Sequence, residues 1–183
     1  MDSKIKVKSE RLKVKGVLSA LCILCAVLIS GCKENKWVDW KVQNELWLEQ
    51  NKTQPSVHVT ASGLQYKIIA DPTPQDARPN KTSTINCDYS LRLINGCPID
   101  GGNNNFSLPN TVQGFAEGCC LVHNHGDIEL YVPCYLGYDS EKYSSDDEYN
   151  AEGNGTEGTS TYIPPYSTLI FTIHICDVLG NSY

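Results

Sequence analysis

A chain of 183 residues, 40% of them hydrophobic, carries enough apolar surface for one compact domain and is tight for two. Its formal net charge is −6, and setting aside a basic leader with six Lys/Arg and two acids leaves nine basic against nineteen acidic side chains, about −10. A surface of that sign repels phosphate backbones and argues against a nucleic-acid partner.

Met1 to Lys15 is basic and is followed by an apolar run from Gly16 to Ile29, too short and wrongly flanked for a membrane span. Residues 1–31 therefore read as an export signal. The signal ends Leu28-Ile29-Ser30-Gly31-Cys32, which resembles a bacterial lipobox: an aliphatic residue, two small ones, then the cysteine that takes the lipid and becomes the new N-terminus. Lipidation of Cys32 is the expectation, and ordinary signal cleavage leaving a plain thiol is the alternative. No later stretch is apolar and long enough to cross a bilayer, so a lipid alone would tether the chain to the cell envelope, on its periplasmic or external face. The expected organisation is a signal over 1–31, a lipidated N-terminus with a short helix and linker over 32–61, and one domain over 62–183.

The segment Lys33 to Gln54 sets Trp37, Trp40, Trp47 and Leu48 at helical spacing. It reads as a short amphipathic helix docking on the domain, with an aromatic binding platform as the other reading. It lacks heptads, so a monomer is expected. Thr53 to Thr60, with Pro55, is a connector. From Ser62 the period becomes two. Leu64 to Ile69 is a first strand, Asp71 to Lys81 a proline-rich loop, and Thr84 to Ile94 a strand with Ile85, Cys87, Tyr89, Leu91 and Leu93 on one face and Asn86, Asp88, Ser90 and Arg92 on the other. Asn95-Gly96 makes a turn. Val112, Phe115, Ala116 and Cys119 fall on one helical face, and Asp127 to Val132 and Thr168 to Val178 are further strands. Strands, one helix, then strands predict an α+β domain: an antiparallel sheet wrapped around one short helix, preceded by the N-terminal helix. After the strand Asp127 to Val132, a proline intervenes and Tyr135 and Tyr138 sit a turn apart, which raises the question of why a strand should end in aromatic groups.

Six cysteines follow Cys32: Cys87, Cys97, Cys119, Cys120, Cys134 and Cys176. Outside the cytoplasm disulfides persist, but six cysteines allow fifteen pairings, and buried free thiols are a real alternative in a domain of this size. Cys119, Cys120, His123 and His125 have a zinc-like spacing. Consecutive helical residues point about 100° apart, so the two cysteines are badly placed to share one ion with both histidines, and no metal or other cofactor is expected. A calcium site from Asp146, Asp147 and Glu148 fits no ligand spacing known to form one.

The blocks "SGLQYKII", "YSLRLINGCPID", "FSLPNTVQGFAEG", "LYVPCYLGY" and "IPPYSTLIFTIHICDV", in that order, resemble the signature of the FKBP-type peptidyl-prolyl isomerases across Ser62 to Val178. The resemblance implies the FKBP-like fold and rotation of Xaa-Pro amides in proline-containing or unfolded polypeptides, to assist folding in the cell envelope. It implies that Tyr138 donates its hydroxyl to a substrate carbonyl, which answers the question raised by the aromatic strand end. It further places Tyr89, Ile99, Phe115, Ile163 and Phe171 in the apolar walls, with Phe115 as the floor and Tyr162 beside Ile163 against the substrate. Val112 would offer its backbone N–H, and Asp100 is the pocket carboxylate. Tyr89, Asp100, Tyr138 and Phe171 are the residues expected to carry the catalysis.

Several positions depart from the family pattern. Ile99 replaces a common phenylalanine, Phe115 a common tryptophan and Thr111 an aliphatic residue, and a wall aromatic is lost in Gly101 to Asn105. A shallower, wetter pocket is expected, each lost aromatic removing roughly 1–3 kcal/mol of apolar burial. Asp139 to Thr161, with seven acids and one lysine, is an inserted loop expected to overhang the pocket. Cys87 and Cys119 are expected to meet in the core, bridged or free. Two readings follow: a lipid-anchored isomerase, or a catalytically weak module that keeps the fold and holds unfolded chains or a partner protein.

Overall fold

Two periods of hydrophobic spacing, two along the strands and 3.6 along the helices, divide this chain into its elements. The computed structural model describes residues 37–72, 76–138 and 163–181. In chain order these form α1 (Val38–Asn51), β1 (His58–Val59), β2 (Gln65–Ala70), β3 (Ser83–Leu93), β4 (Pro98–Ser107), α2 (Gln113–Cys119), β5 (Asp127–Val132) and β6 (Leu169–Asn181). Single 3-10 turns lie at Leu108–Asn110 and Cys134–Leu136. All strands pair antiparallel in the order β1-β2-β5-β6-β3-β4, the α+β architecture that the alternation predicted. Among these residues no helix is long and apolar enough to cross a membrane.

Side-chain alternation sets the layers. Along β3, Ile85, Cys87, Leu91 and Leu93 are buried and Tyr89 is half-buried, while Asp88 and Ser90 face solvent. The inward faces of β5 and β6 add Ile128, Leu130, Val132, Leu169, Phe171, Ile173 and Ile175, and α2 closes this core with Phe115 and Cys119. The helix lies close on β5 because Gly114 and Gly118, one turn apart, present no Cβ: one added at Gly114 would run into Val132, and one at Gly118 into Leu130. Both strand residues are fully buried.

Three elements differ from the sequence reading. The polar run Gly101 to Asn105, not read as a strand, is the middle of β4. As an edge strand it needs partners on one side only, and it meets β3 with Asn86 Nδ2 donating to Asn103 Oδ1 at 3.0 Å and to Asn105 Oδ1 at 2.8 Å. The connector Thr53 to Thr60 contains the two-residue β1, paired with β2. Helix α1 docks as expected, but with polar groups. Trp40, Asn44, Trp47 and Asn51 share one face, Asn44 and Asn51 are buried, and Val38, Val42 and Leu46 stay exposed. Asn51 Nδ2 donates to Gln65 Oε1 and Gln65 Nε2 to the Leu48 carbonyl, both at 2.9 Å, and the Trp47 ring meets Tyr131 at 5.6 Å.

The cysteines are free thiols, all six of those after Cys32. Cys87 and Cys119 lie together in the core cluster without a bridge. The Cys-Cys-x-x-His-x-His stretch is not gathered into one site: Cys119 is buried, and His123 turns to Asp71, with its backbone N–H and Nδ1 both 2.9 Å from carboxylate oxygens. Asp146, Asp147, Glu148 and the rest of the acidic loop lie outside the described residues.

A methyl group at Gly114 must displace Val132, whose β-branched side chain has few rotamers to yield. Gly114→Ala is therefore expected to cost roughly 1–3 kcal/mol by overpacking, of which better helix propensity returns at most about 1. A urea midpoint at or above that of the parent would show that the helix can shift away from β5.

Candidate functional site

The sheet's concave face and α2 enclose a cavity of about 240 Å³. Six of the residues singled out from sequence line it: Tyr89, Asp100, Val112, Phe115, Tyr138 and Phe171. Each comes from a different place in the fold. Tyr89 and Phe171 project from β3 and β6, Asp100 from β4, and Phe115 from α2, while Tyr138 follows the 3-10 turn after β5. Val112 is the N-cap residue of α2, with extended backbone angles and an N–H that lies outside the helix's own ladder.

Of the other lining residues, Leu91, Phe106 and Asn110 were not assigned to the pocket from sequence, while Thr111 was expected to bear on it in place of an aliphatic residue. Phe106 matters most. Its ring meets Tyr89 edge-on at 5.1 Å and Phe115 at 5.2 Å, and Phe115 meets Phe171 at 5.2 Å, so four rings run continuously around the cavity in tilted and edge-to-face contacts. The polar run itself contributes no aromatic, and a wall ring stands one residue beyond it. The alternation Gly102, Asn104, Phe106 opposite Tyr89, Cys87 and Ile85 was the signal that could have found it. The Thr111 hydroxyl donates to the Leu108 carbonyl at 2.9 Å, within the turn.

Among the described residues, Asp100 is the one charged group lining the cavity. Its Oδ2 accepts the Tyr89 hydroxyl at 2.7 Å and its Oδ1 the Gly101 N–H at 2.8 Å. A bulge brings it there. Leu91 pairs with Asp100 and Arg92 with Pro98, so Ile99 is the extra residue and two consecutive side chains, Ile99 and Asp100, take the inner face. Ile99 is consequently spent on the core, 6% exposed, and does not line the cavity. Ile163 is half-buried against the same core and is likewise not among the lining residues. Tyr162 and Cys32 lie outside the described residues.

Burial, then the hydrogen bond to Asp100 and its charge, push the Tyr89 phenol up from 10.0 to about 12. Burial, then the neighbouring Cys176 and Asp88, push the Cys87 thiol from 9.0 to about 12. Both groups are held neutral by the fold, and their contribution to stability is complete below their unfolded values and lost as pH rises toward 12. The urea midpoint is expected to fall steadily between about pH 9 and 12, and Tyr89→Phe to flatten the part of that slope above about pH 10. An unchanged slope in the variant would show that the phenol is not held neutral.

The family model described as FKBP-type peptidyl-prolyl cis-trans isomerase matches residues 75–176, more than half the chain, and that of the domain amino-terminal to it matches residues 31–68. The outer membrane protein MIP of Legionella longbeachae is 31% identical over 143 residues, 75% of this chain and 54% of that protein. The 22 kDa FKBP-type peptidyl-prolyl cis-trans isomerase of Escherichia coli is 28% identical over 138 residues, 73% of this chain and 58% of that one. The chain spans about half the length of the curated relatives it matches. In fold it is similar to crystalline FkpA from Escherichia coli, with a TM-score of 0.63 at 22% identity over 97% of this chain and 73% of that one. It is similar also to a peptidyl-prolyl isomerase of Pseudomonas syringae, with a TM-score of 0.61 at 17% identity over 81% of this chain and 98% of that one. With the pocket, its four rings and the Asp100 carboxylate, these matches lead to one conclusion: the chain belongs to the FKBP-type peptidyl-prolyl cis-trans isomerase family.

Proposed function

We propose that this chain catalyses cis–trans rotation of Xaa-Pro amides in proline-containing polypeptides, within the cavity between Tyr89 and Phe171. The observation that carries this reading is the unbroken run of rings from Tyr89 through Phe106 and Phe115 to Phe171, with the Asp100 carboxylate at its rim. Turning the amide abolishes its resonance and costs about 18–20 kcal/mol unaided, on a timescale of tens of seconds or more. No nucleophile or proton transfer is needed. The twisted amide is less polar than the planar one, so an apolar cavity that excludes water binds it better than the ground state. Tyr138 and the Val112 N–H hold the flanking carbonyls, and Asp100 acts on the amide through its charge while fixing the Tyr89 hydroxyl.

The catalytic reading gains over the binding-module reading at two positions. Phe106 adds a ring to the wall and the Thr111 hydroxyl donates within its own turn, which supports an apolar cavity at these two positions. The lipobox-like end of the signal, Leu28 to Cys32, supports a lipid on Cys32 and residence in the cell envelope.

Magnetisation exchange between cis and trans forms of a short Leu-Pro peptide measures the activity directly. Tyr138→Phe and Asp100→Val are each expected to lower the rate by tenfold or so, about 1.4 kcal/mol, while the fold stays intact by circular dichroism. Equal rates in both variants and the parent would reject this site. Phe106→Ala is expected to weaken peptide binding by roughly 1–3 kcal/mol, read by NMR titration, and undiminished affinity would exclude Phe106 from the wall.

A further inference from the structure

Segment 163–168 joins the acidic loop to β6 and carries Ile163, which packs against the core cluster that contains Phe115 and Phe171. Two side chains of α1 reach this segment. Trp40 Nε1 donates to Ser167 Oγ at 2.9 Å, and that hydroxyl donates to the Pro164 carbonyl at 2.7 Å. One turn along, Asn44 Oδ1 accepts the Thr168 backbone N–H at 2.7 Å while its Nδ2 donates to the Trp40 carbonyl at 2.8 Å. Asn44 is 2% exposed, so water does not compete for either bond. Between these two contacts the Lys41 ammonium stands 5.4 Å from the centre of the Tyr166 ring, within cation–π range. Tyr166 has φ +66, a left-handed conformation that a bulky residue keeps only where its surroundings hold it.

A helix that only had to dock would turn its apolar side chains inward. Here Val38, Val42 and Leu46 remain 51%, 45% and 55% exposed while an asparagine is buried in their stead. Apolar contacts tolerate sliding, whereas directional hydrogen bonds define one register between helix and segment. Phe171 itself is pinned from both sides by its pairing with Leu91 and Leu130, so α1 bears on the pocket through the residues before β6, which lie outside the strand ladder.

We propose that α1 positions the proline pocket, with Trp40 and Asn44 as positioning residues that hold segment 163–168 and so set where Ile163 packs against the core cluster that supplies Phe115 and Phe171 to the pocket wall. The proposal rests on the isomerase reading of the pocket and adds to it residues far from the chemistry.

A double-mutant cycle in the full chain tests it, pairing Trp40→Phe, which keeps a ring and removes the N–H donor, with Ser167→Ala, and adding Asn44→Ala. Two quantities are read below the unfolding transition: KM and kcat for a short Leu-Pro peptide, and the Ile163 methyl resonances without peptide. Each single change is expected to raise KM by about threefold or more with kcat altered less than about twofold, and the double variant to be no worse than either alone. The Ile163 methyls shift in every variant. Trp40→Phe that folds and leaves both KM and the Ile163 resonances unchanged overturns the proposal, and it carries this decision even where Asn44→Ala fails to fold. A parent chain without isomerase activity would sink the catalytic reading alone. In that case the Ile163 resonances decide: non-additive shifts in the cycle support positioning, and additive or absent shifts overturn it.

Discussion

Helix α2 can lie against β5 only because Gly114 and Gly118 leave room for Val132 and Leu130. That close approach carries Phe115 to the bottom of the cavity, where it touches Phe106 on one side and Phe171 on the other. With ordinary side chains at the two glycines the helix would stand off from the sheet, and the rings would lose the edge contacts that exclude water between them. The place of the Phe115 ring in the cavity wall follows from this packing distance.

The polar part of the site depends on a different device. The bulge at Ile99 lets one strand turn two successive side chains inward, so the same stretch of β4 seals the core with Ile99 and supplies the carboxylate with Asp100. Tyr89 then serves both halves, its ring belonging to the apolar run and its hydroxyl to Asp100. A single charge held by one phenol and one backbone N–H remains in place without intruding on the apolar space below it.

Helix α1 follows neither pattern. Its contacts with the domain include amide and indole hydrogen bonds, made to β2 at Gln65 and to Ser167 and Thr168 just before β6. Buried amides add little net stability when satisfied but are costly to leave unmatched, so they select one seating of the helix over its neighbours. The free thiols contribute in the opposite way. Cys87 and Cys119 behave as small apolar groups, and burial holds both in the neutral form.

The amino-acid sequence by itself determined the strands of period two and the helical face of α2, because alternation and spacing are local properties of the chain, and the family signature it carries implied six of the residues that line the cavity. It could also set Tyr89 on the inner face of β3, since that follows from counting by two. Phe106 was hidden because a run of glycines and asparagines reads as a loop, and only pairing with β3 makes it a strand with an inner face. The different fates of Ile99 and Asp100 were hidden by the bulge, which breaks the count of two. The amide docking of α1 was hidden because asparagine reads as a surface residue until a partner 124 positions away accepts or donates its bond. Tertiary structure decided these points, since each depends on which distant backbone lies opposite, and no local period records that.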